Sequence, residues 1–211
     1  MKTITLSFVI ILLFSFAAFS QSENNDEIKT IFGKIDSHGG YLGFDISVSE
    51  IDGENAMFIG GKGAWVIGHG FSVGLAGGGF FNDYHFNEKL GENVNLEGGY
   101  GGLLLEPIIL PKFPVHISMP VLLGLGGVSY TSDYYNTMDD EWSNFIEAGD
   151  AFLIVEPGVQ IEMNLVRSVR VCVGASYRYT SELDLDYQYT GVNNDVLDGL
   201  SFGASIKFGK F

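Results

Sequence analysis

Residues 169–180 read VRVCVGASYRYT, and the alternation in this stretch decides the fold. Val169, Val171, Val173, Ala175, Tyr177 and Tyr179 fall on one face of an extended chain, with Arg170, Cys172, Gly174, Ser176, Arg178 and Thr180 on the other. The last strand-like segment repeats the pattern, setting Leu200, Phe202, Ala204, Ile206 and Phe208 against Ser201, Gly203, Ser205, Lys207 and Gly209. Residues 153–163 do the same, with Glu156, Gly158, Gln160 and Glu162 on the minority face. A soluble antiparallel barrel also alternates, with its apolar face inward, so alternation alone leaves the inside undefined. The kind of polar residue on the minority face supplies the direction. Asp45, Glu106, Glu156, Glu162, Arg170, Arg178 and Lys207, joined by Lys62, carry both signs of charge. The interior of a narrow eight-stranded barrel is filled by side chains, so these groups can pair there while the valines and phenylalanines face lipid. Small glycine positions make room for the long side chains.

Working outward, the chain divides from Gly39 into eight segments of strand length, at about 39–50, 56–67, 71–82, 97–109, 115–130, 151–163, 168–182 and 199–210. Spacers at 68–70, 110–114 and 164–167 are short; those at 51–55, 83–96, 131–150 and 183–198 are long, and three of these are rich in Asp, Asn, Glu and Tyr. Short turns on one rim and long polar loops on the other predict an antiparallel, up-and-down, transmembrane β-barrel with both termini on the short-turn, periplasmic rim. Pro107, Pro120 and Pro157 remove ladder donors and are expected at bulges or strand ends. The matching Leu105-Glu106-Pro107 and Val155-Glu156-Pro157 suggest hairpin repetition.

The N-terminus supplies an address. Lys2, the apolar run from Ile4 to Phe19, and the small residues Ala18 and Ser20 read as a signal peptide over 1–20, cut before Gln21. Residues 21–38 read as a polar lead-in, and 39–211 as the barrel domain. After residue 21 no apolar run reaches helical membrane-spanning length, so a membrane-spanning mature chain must cross as a closed sheet. The formal net charge of -15, from 11 Lys and Arg against 26 Asp and Glu, argues against a nucleic-acid partner. A single cysteine, Cys172, rules out an intramolecular disulfide and leaves too few ligands for a structural cysteine zinc site.

With these features, residues 39–211 resemble the small outer-membrane β-barrel proteins of Gram-negative bacteria, of the OmpA/OmpX-like size class. The most specific mark is the C-terminal segment LSFGASIKFGKF (200–211), which ends on an aromatic residue. The resemblance implies an outer-membrane location, contact with outer-membrane lipid, and assembly by the barrel-assembly machinery with Phe211 as part of the signal. Phe211 is out of phase with Phe208, Ile206 and Phe202, so either a bulge lies near Gly209 or Phe211 points away from lipid.

Chemistry-bearing motifs are sparse. His116 and Ser118 share a face, and Glu106 or Glu162 could complete a nucleophile, base and orienter, yet such a trio inside a barrel reads more simply as a hydrogen-bonded plug. His69 sits in a Gly-His-Gly turn, and His85 on a long loop within reach of a ligand. In the loop 131–150, Tyr134, Tyr135, Trp142 and Phe145 interleave with carboxylates, a composition suited to protein or glycan contacts. The carboxylates lack EF-hand spacing, so no metal is assigned, and the glycine runs lie inside strands rather than in phosphate-binding turns. The reading is a monomeric, non-enzymatic barrel without cofactor, its lumen plugged by an ionic network, in an envelope-structural or surface-interaction role. The alternatives are a barrel that binds or passes a small hydrophobic ligand, a lipid-modifying outer-membrane enzyme, and a soluble periplasmic ligand-binding barrel.

Overall fold

The alternating segments pair edge to edge until the sheet meets itself. A computed structural model describes residues 38–87, 92–136, 141–183, 186–187, 190–191 and 195–211, with residues 1–37, and hence the expected signal peptide and most of the lead-in, outside the described set. Twelve strands appear: β1 (His38–Ile51), β2 (Glu54–Ile67), β3 (Phe71–Asn82), β4 (His85–Asn87), β5 (Glu92–Ile109), β6 (Val115–Ser118), β7 (Val121–Asn136), β8 (Glu141–Val166), β9 (Val169–Thr180), β10 (Asp186–Tyr187), β11 (Thr190–Gly191) and β12 (Gly199–Lys210). β10 and β11 form a separate small ribbon, and among the described residues β4 pairs only with β5. The remaining strands run antiparallel in sequence order, and β12 closes on β1, with Gly40 opposite Lys210 and Val48 opposite Phe202. β6 and β7 are halves of one strand, interrupted at Met119 and Pro120, so the closed ring has eight strands. No described helix is long and apolar enough to cross a membrane, which has no bearing on strands.

The three prolines sit at one level. Pro107 pairs opposite Phe71 and Pro157 opposite Val121, while Pro120 occupies the break between β6 and β7. Carbonyls carry the ladder past them: Met119 N–H donates to Pro107 O at 2.9 Å, and Gly158 N–H to Pro120 O at 2.8 Å. The missing donors interrupt strand bonding locally without shifting register.

Three long spacers need correction. Residues 51–55 are not a loop but a hairpin turn on Asp52 and Gly53, with φ of 56° and 81°. Two left-handed residues in an Asp-Gly pair match the hairpin turn whose twist suits the flanking strands. The spacer 83–96 holds β4 paired to a β5 that begins at Glu92. The spacer 131–150 is largely a hairpin, since β7 runs to Asn136 and β8 starts at Glu141, with a register shift at Tyr130 and Thr131. Loop polarity conceals strand pairing because neither face of a strand that projects beyond the apolar belt has to be apolar.

The side chains sort as the alternation requires. Leu42, Phe44, Leu75, Leu125, Leu153 and Phe202 project from the outer surface, whereas Glu106 and Glu162 are wholly buried inside. Inward glycines complement inward rings: a methyl built on Gly126 would lie 2.6 Å from both the Phe152 ring and Tyr100 Cβ, and one on Gly98 2.7 Å from Phe80.

Candidate functional site

Strand parity brings an ionic cluster together near the short-turn rim. Lys207 on β12 lies between two buried carboxylates, donating to Glu106 Oε1 at 2.6 Å and to Glu162 Oε1 at 2.5 Å. Arg170 on β9 donates to Glu162 Oε2 at 3.2 Å and to Asn164 Oδ1 at 2.7 Å. Tyr41 on β1 donates its hydroxyl to Glu106 Oε2 at 2.6 Å, and its ring faces the Lys207 ammonium at 4.8 Å. Every charge here is countered by a partner on another strand, the condition under which buried ions are tolerated. Glu162, for example, accepts from cations on β9 and β12 as well as from His116 on β6.

Phe211 closes this end. Its ring stacks on Tyr41 at 5.8 Å between centroids, and the Arg170 guanidinium lies 3.8 Å from its centroid. Register between β1 and β12 is continuous through Lys210, so the phase of Phe211 points it into the barrel without a bulge at Gly209.

The other charged positions occupy separate places. Asp45 pairs with Lys62 at 2.7 Å, and its side chain keeps a third of its exposure. Glu156 accepts from Tyr100 Oη at 2.8 Å and from Ser176 Oγ at 2.6 Å. Arg178 is buried, yet its hydrogen bonds go to neutral acceptors: Leu197 O at 2.7 Å, Ser201 Oγ at 3.3 Å and Ser49 Oγ at 3.4 Å. It also lies 4.3 Å from the Phe58 ring centroid. The expected single network of seven residues is thus a cluster of Glu106, Glu162, Arg170 and Lys207, with Asp45, Glu156 and Arg178 outside it.

Above these groups the interior turns apolar, a feature missed by sequence reasoning that looked for charges. Phe58, Phe80, Val94, Leu96, Phe152 and Ile154 pack together there. Leu183, Val196 and Leu197, from the segment between β9 and β12 expected to be a polar loop, fold onto them and are buried. Asp198 helps hold that segment by accepting from Thr180 N–H at 2.7 Å and Thr180 Oγ at 2.9 Å. The signal was legible as Leu183, Leu185, Val192, Val196 and Leu197 set among the aspartates of 183–198. Between the apolar layer and the ionic cluster lies a cavity of ≈ 150 Å³ lined by Asp45, Lys62, Tyr100, Glu156 and Gln160 among others.

The histidines do not assemble a nucleophilic site. His116 Nε2 lies 3.0 Å from Glu162 Oε2 and Nδ1 lies 3.1 Å from Phe113 O, so both ring nitrogens face acceptors and neither is turned to Ser118. His69 adopts φ 62° in its turn. His85 begins β4, with Nε2 3.7 Å from Asp52 and Nδ1 3.3 Å from Asp83 O. The backbone ladder places Tyr135 opposite Trp142 and Ser132 opposite Phe145, but the side chains of Tyr134, Tyr135, Trp142 and Phe145 lie outside the described residues. Among the described residues, no group of three or more His, Cys, Asp and Glu is placed to hold a metal ion.

No protein-family model matches the chain, and no curated protein matches it. Several solved structures do. The chain is similar to the outer membrane protein OprG from Pseudomonas aeruginosa, with 14% identity and a TM-score of 0.49, covering 83% of this chain and 98% of that one. It is similar to Neisserial surface protein A at 12% identity and a TM-score of 0.48, over 82% and 97% of the two chains. It also matches Ail, the attachment invasion locus protein of Yersinia pestis, solved with the heparin analogue sucrose octasulfate, at 12% identity and a TM-score of 0.44, over 82% and 97%.

Proposed function

We propose that the protein is an outer-membrane barrel, exported through a cleaved signal peptide, whose lumen is closed and whose role is envelope-structural or surface-interacting rather than catalytic. The observation that carries this reading is the pairing of an apolar outer belt with a charged interior on one closed eight-stranded ring. An apolar face turned outward all around has to be covered, and a bilayer covers it without a partner protein. The charged interior is sealed twice, by the cluster at Lys207 near one end and by the Phe58, Phe80 and Phe152 layer toward the other.

Catalysis is disfavoured by the acceptor environment of His116, since a general base needs a nitrogen lone pair directed at its nucleophile. Passage or binding of a small hydrophobic molecule is disfavoured by the cavity. Its volume of ≈ 150 Å³ suits a ligand of benzene size, but Asp45, Lys62 and Glu156 in its lining suit water better than hydrocarbon. At the surface, residues 134–145 remain the region proposed for contact with extracellular protein or glycan, and Phe211 the proposed assembly signal.

The test is fractionation of cells expressing the full chain, followed by gel mobility of detergent-extracted protein with and without boiling, and by planar-bilayer recording. Outer-membrane recovery, a heat-dependent mobility shift and no stepwise conductance are expected. Release into the soluble periplasm without a shift overturns the membrane reading; discrete conductance steps overturn the closed lumen.

A further inference from the structure

Glycines interrupt the apolar belt on one side of the barrel. Gly61, Gly77, Gly79, Gly99, Gly101 and Gly127 are in phase with the outward residues of their strands, and the ladders set them side by side: Gly61 opposite Gly77, Gly77 opposite Gly101, Gly79 opposite Gly99, and Gly99 opposite Gly127. Ser129 opposite Gly149 extends the stripe onto β8. Exposed Leu75, Leu103, Leu125 and Leu153 form a sill on its short-turn side, and exposed Phe81, Tyr84 and Phe86 stand on the other. At its long-loop end the outer surface forms a two-lobed groove that reaches Gly79 in one lobe and Gly127 in the other, with Glu97, Gly98 and Ser129 common to both.

Close backbone packing accounts for Gly77, Gly99 and Gly101, where a methyl would lie 2.8, 3.0 and 3.2 Å from a neighbouring strand's carbonyl oxygen, but not for Gly61, Gly79 and Gly127. Inward glycines meet side chains, as at Gly126, but a methyl on Gly79 would come no nearer than 3.4 Å to Gly98 O, and one on Gly127 no nearer than 3.7 Å to Asp150 O. Both are ordinary contacts, and strand positions facing lipid ordinarily favour branched or aromatic residues.

A second observation points to an occupant. Asn95, in phase with Glu97 and Gly99 at the upper end of the stripe, is 6% exposed, lines the groove beside Gly79, and has no hydrogen-bond partner for Oδ1 among the described residues. A buried acceptor left unpaired is costly, so a donor is expected to meet it. The neighbouring Glu97 carboxylate accepts from Thr131 Oγ at 2.9 Å and remains exposed, and no Lys, Arg or His is among the residues lining either lobe. The groove therefore offers acceptors and negative charge above a smooth floor bounded by leucines.

We propose that this groove holds one membrane lipid whose headgroup bears a primary ammonium, its alkyl chain lying along the glycine stripe and its N–H groups donating to Asn95 Oδ1 and Glu97. The proposal rests on the membrane-barrel reading. An anionic glycerol headgroup is repelled by Glu97, and a trimethylated choline headgroup has no N–H to donate.

The test is native mass spectrometry of the mature, folded protein released from nanodiscs containing equal amounts of phosphatidylethanolamine, phosphatidylcholine and phosphatidylglycerol with matched chains. Phosphatidylethanolamine is expected to be retained about tenfold over phosphatidylcholine, the scale of one charge-assisted hydrogen bond. Asn95→Leu, and separately Gly79→Val with Gly127→Val, are expected to abolish the preference while keeping the heat-dependent gel shift that reports a folded barrel. Equal retention of the three lipids, or an unchanged preference in the variants, overturns the proposal. So does a cross-linked dimer that disappears in the double glycine variant, which assigns the face to a second copy. Absence of the gel shift in the unsubstituted protein defeats the membrane-barrel reading itself, a result separable from failed lipid selection by a folded barrel.

Discussion

Lys207 and Lys62 are both inward-facing lysines paired with carboxylates, and their surroundings make them unequal. Lys207 stands between two wholly buried carboxylates, whereas the partner of Lys62 keeps a third of its side-chain exposure. Lys207→Met leaves Glu106 and Glu162 with one fewer cation in a place water does not reach, and is expected to cost about 3–5 kcal/mol. Lys62→Met leaves Asp45 able to hydrate from the cavity and is expected to cost about 1 kcal/mol or less. Urea titration of both variants folded into vesicles, followed by tryptophan fluorescence, checks the ranking; equal losses would place Asp45 in the same dry environment as Glu106. At this scale the sequence named the charged residues but not their company. Tyr41 shares the phase of Asp45, and His116 that of Ser118, so both were legible as inward, yet nothing local says that Tyr41 bonds Glu106 across 65 residues.

Elements carry their own tests. Gly53 adopts φ 81° in the turn joining β1 and β2. Gly53→Val forces a branched side chain into left-handed backbone and is expected to destabilise the hairpin by about 1–2 kcal/mol. Slower appearance of the fast-migrating folded band during refolding is the readout; unchanged kinetics would mean that the turn can re-form without left-handed residues. Gly126 and Gly127 are adjacent in β7 and point to opposite faces. Gly126→Ala is expected to lower the thermal midpoint by several degrees, because its methyl meets Phe152 and Tyr100 at 2.6 Å, whereas Gly127→Ala is expected to leave it unchanged. Circular dichroism melts of the two variants decide whether the face assignment of β7 is right. The strands were readable from the period of two, but the turn at Asp52 and the extension of the β7–β8 hairpin through 131–136 and 141–150 were not read. The first was a missed Asp-Gly signal, the second a consequence of projecting strands that need no apolar face.

For the whole molecule, the ring and the direction of its faces have different origins in the chain. Alternation over 169–180 and 199–210, short spacers at three positions, and charges of both signs on the minority face determined an eight-stranded antiparallel barrel with its apolar face outward, because period-two patterning and turn spacing are local properties. The register of β12 against β1, the meeting of Lys207 with Glu106 and Glu162, the burial of Leu183, Val196 and Leu197, and the side-by-side placing of glycines from β2, β3, β5 and β7 were decided only by the tertiary structure. Register between strands distant in sequence sets which side chains stand level with one another, and no single strand contains that information.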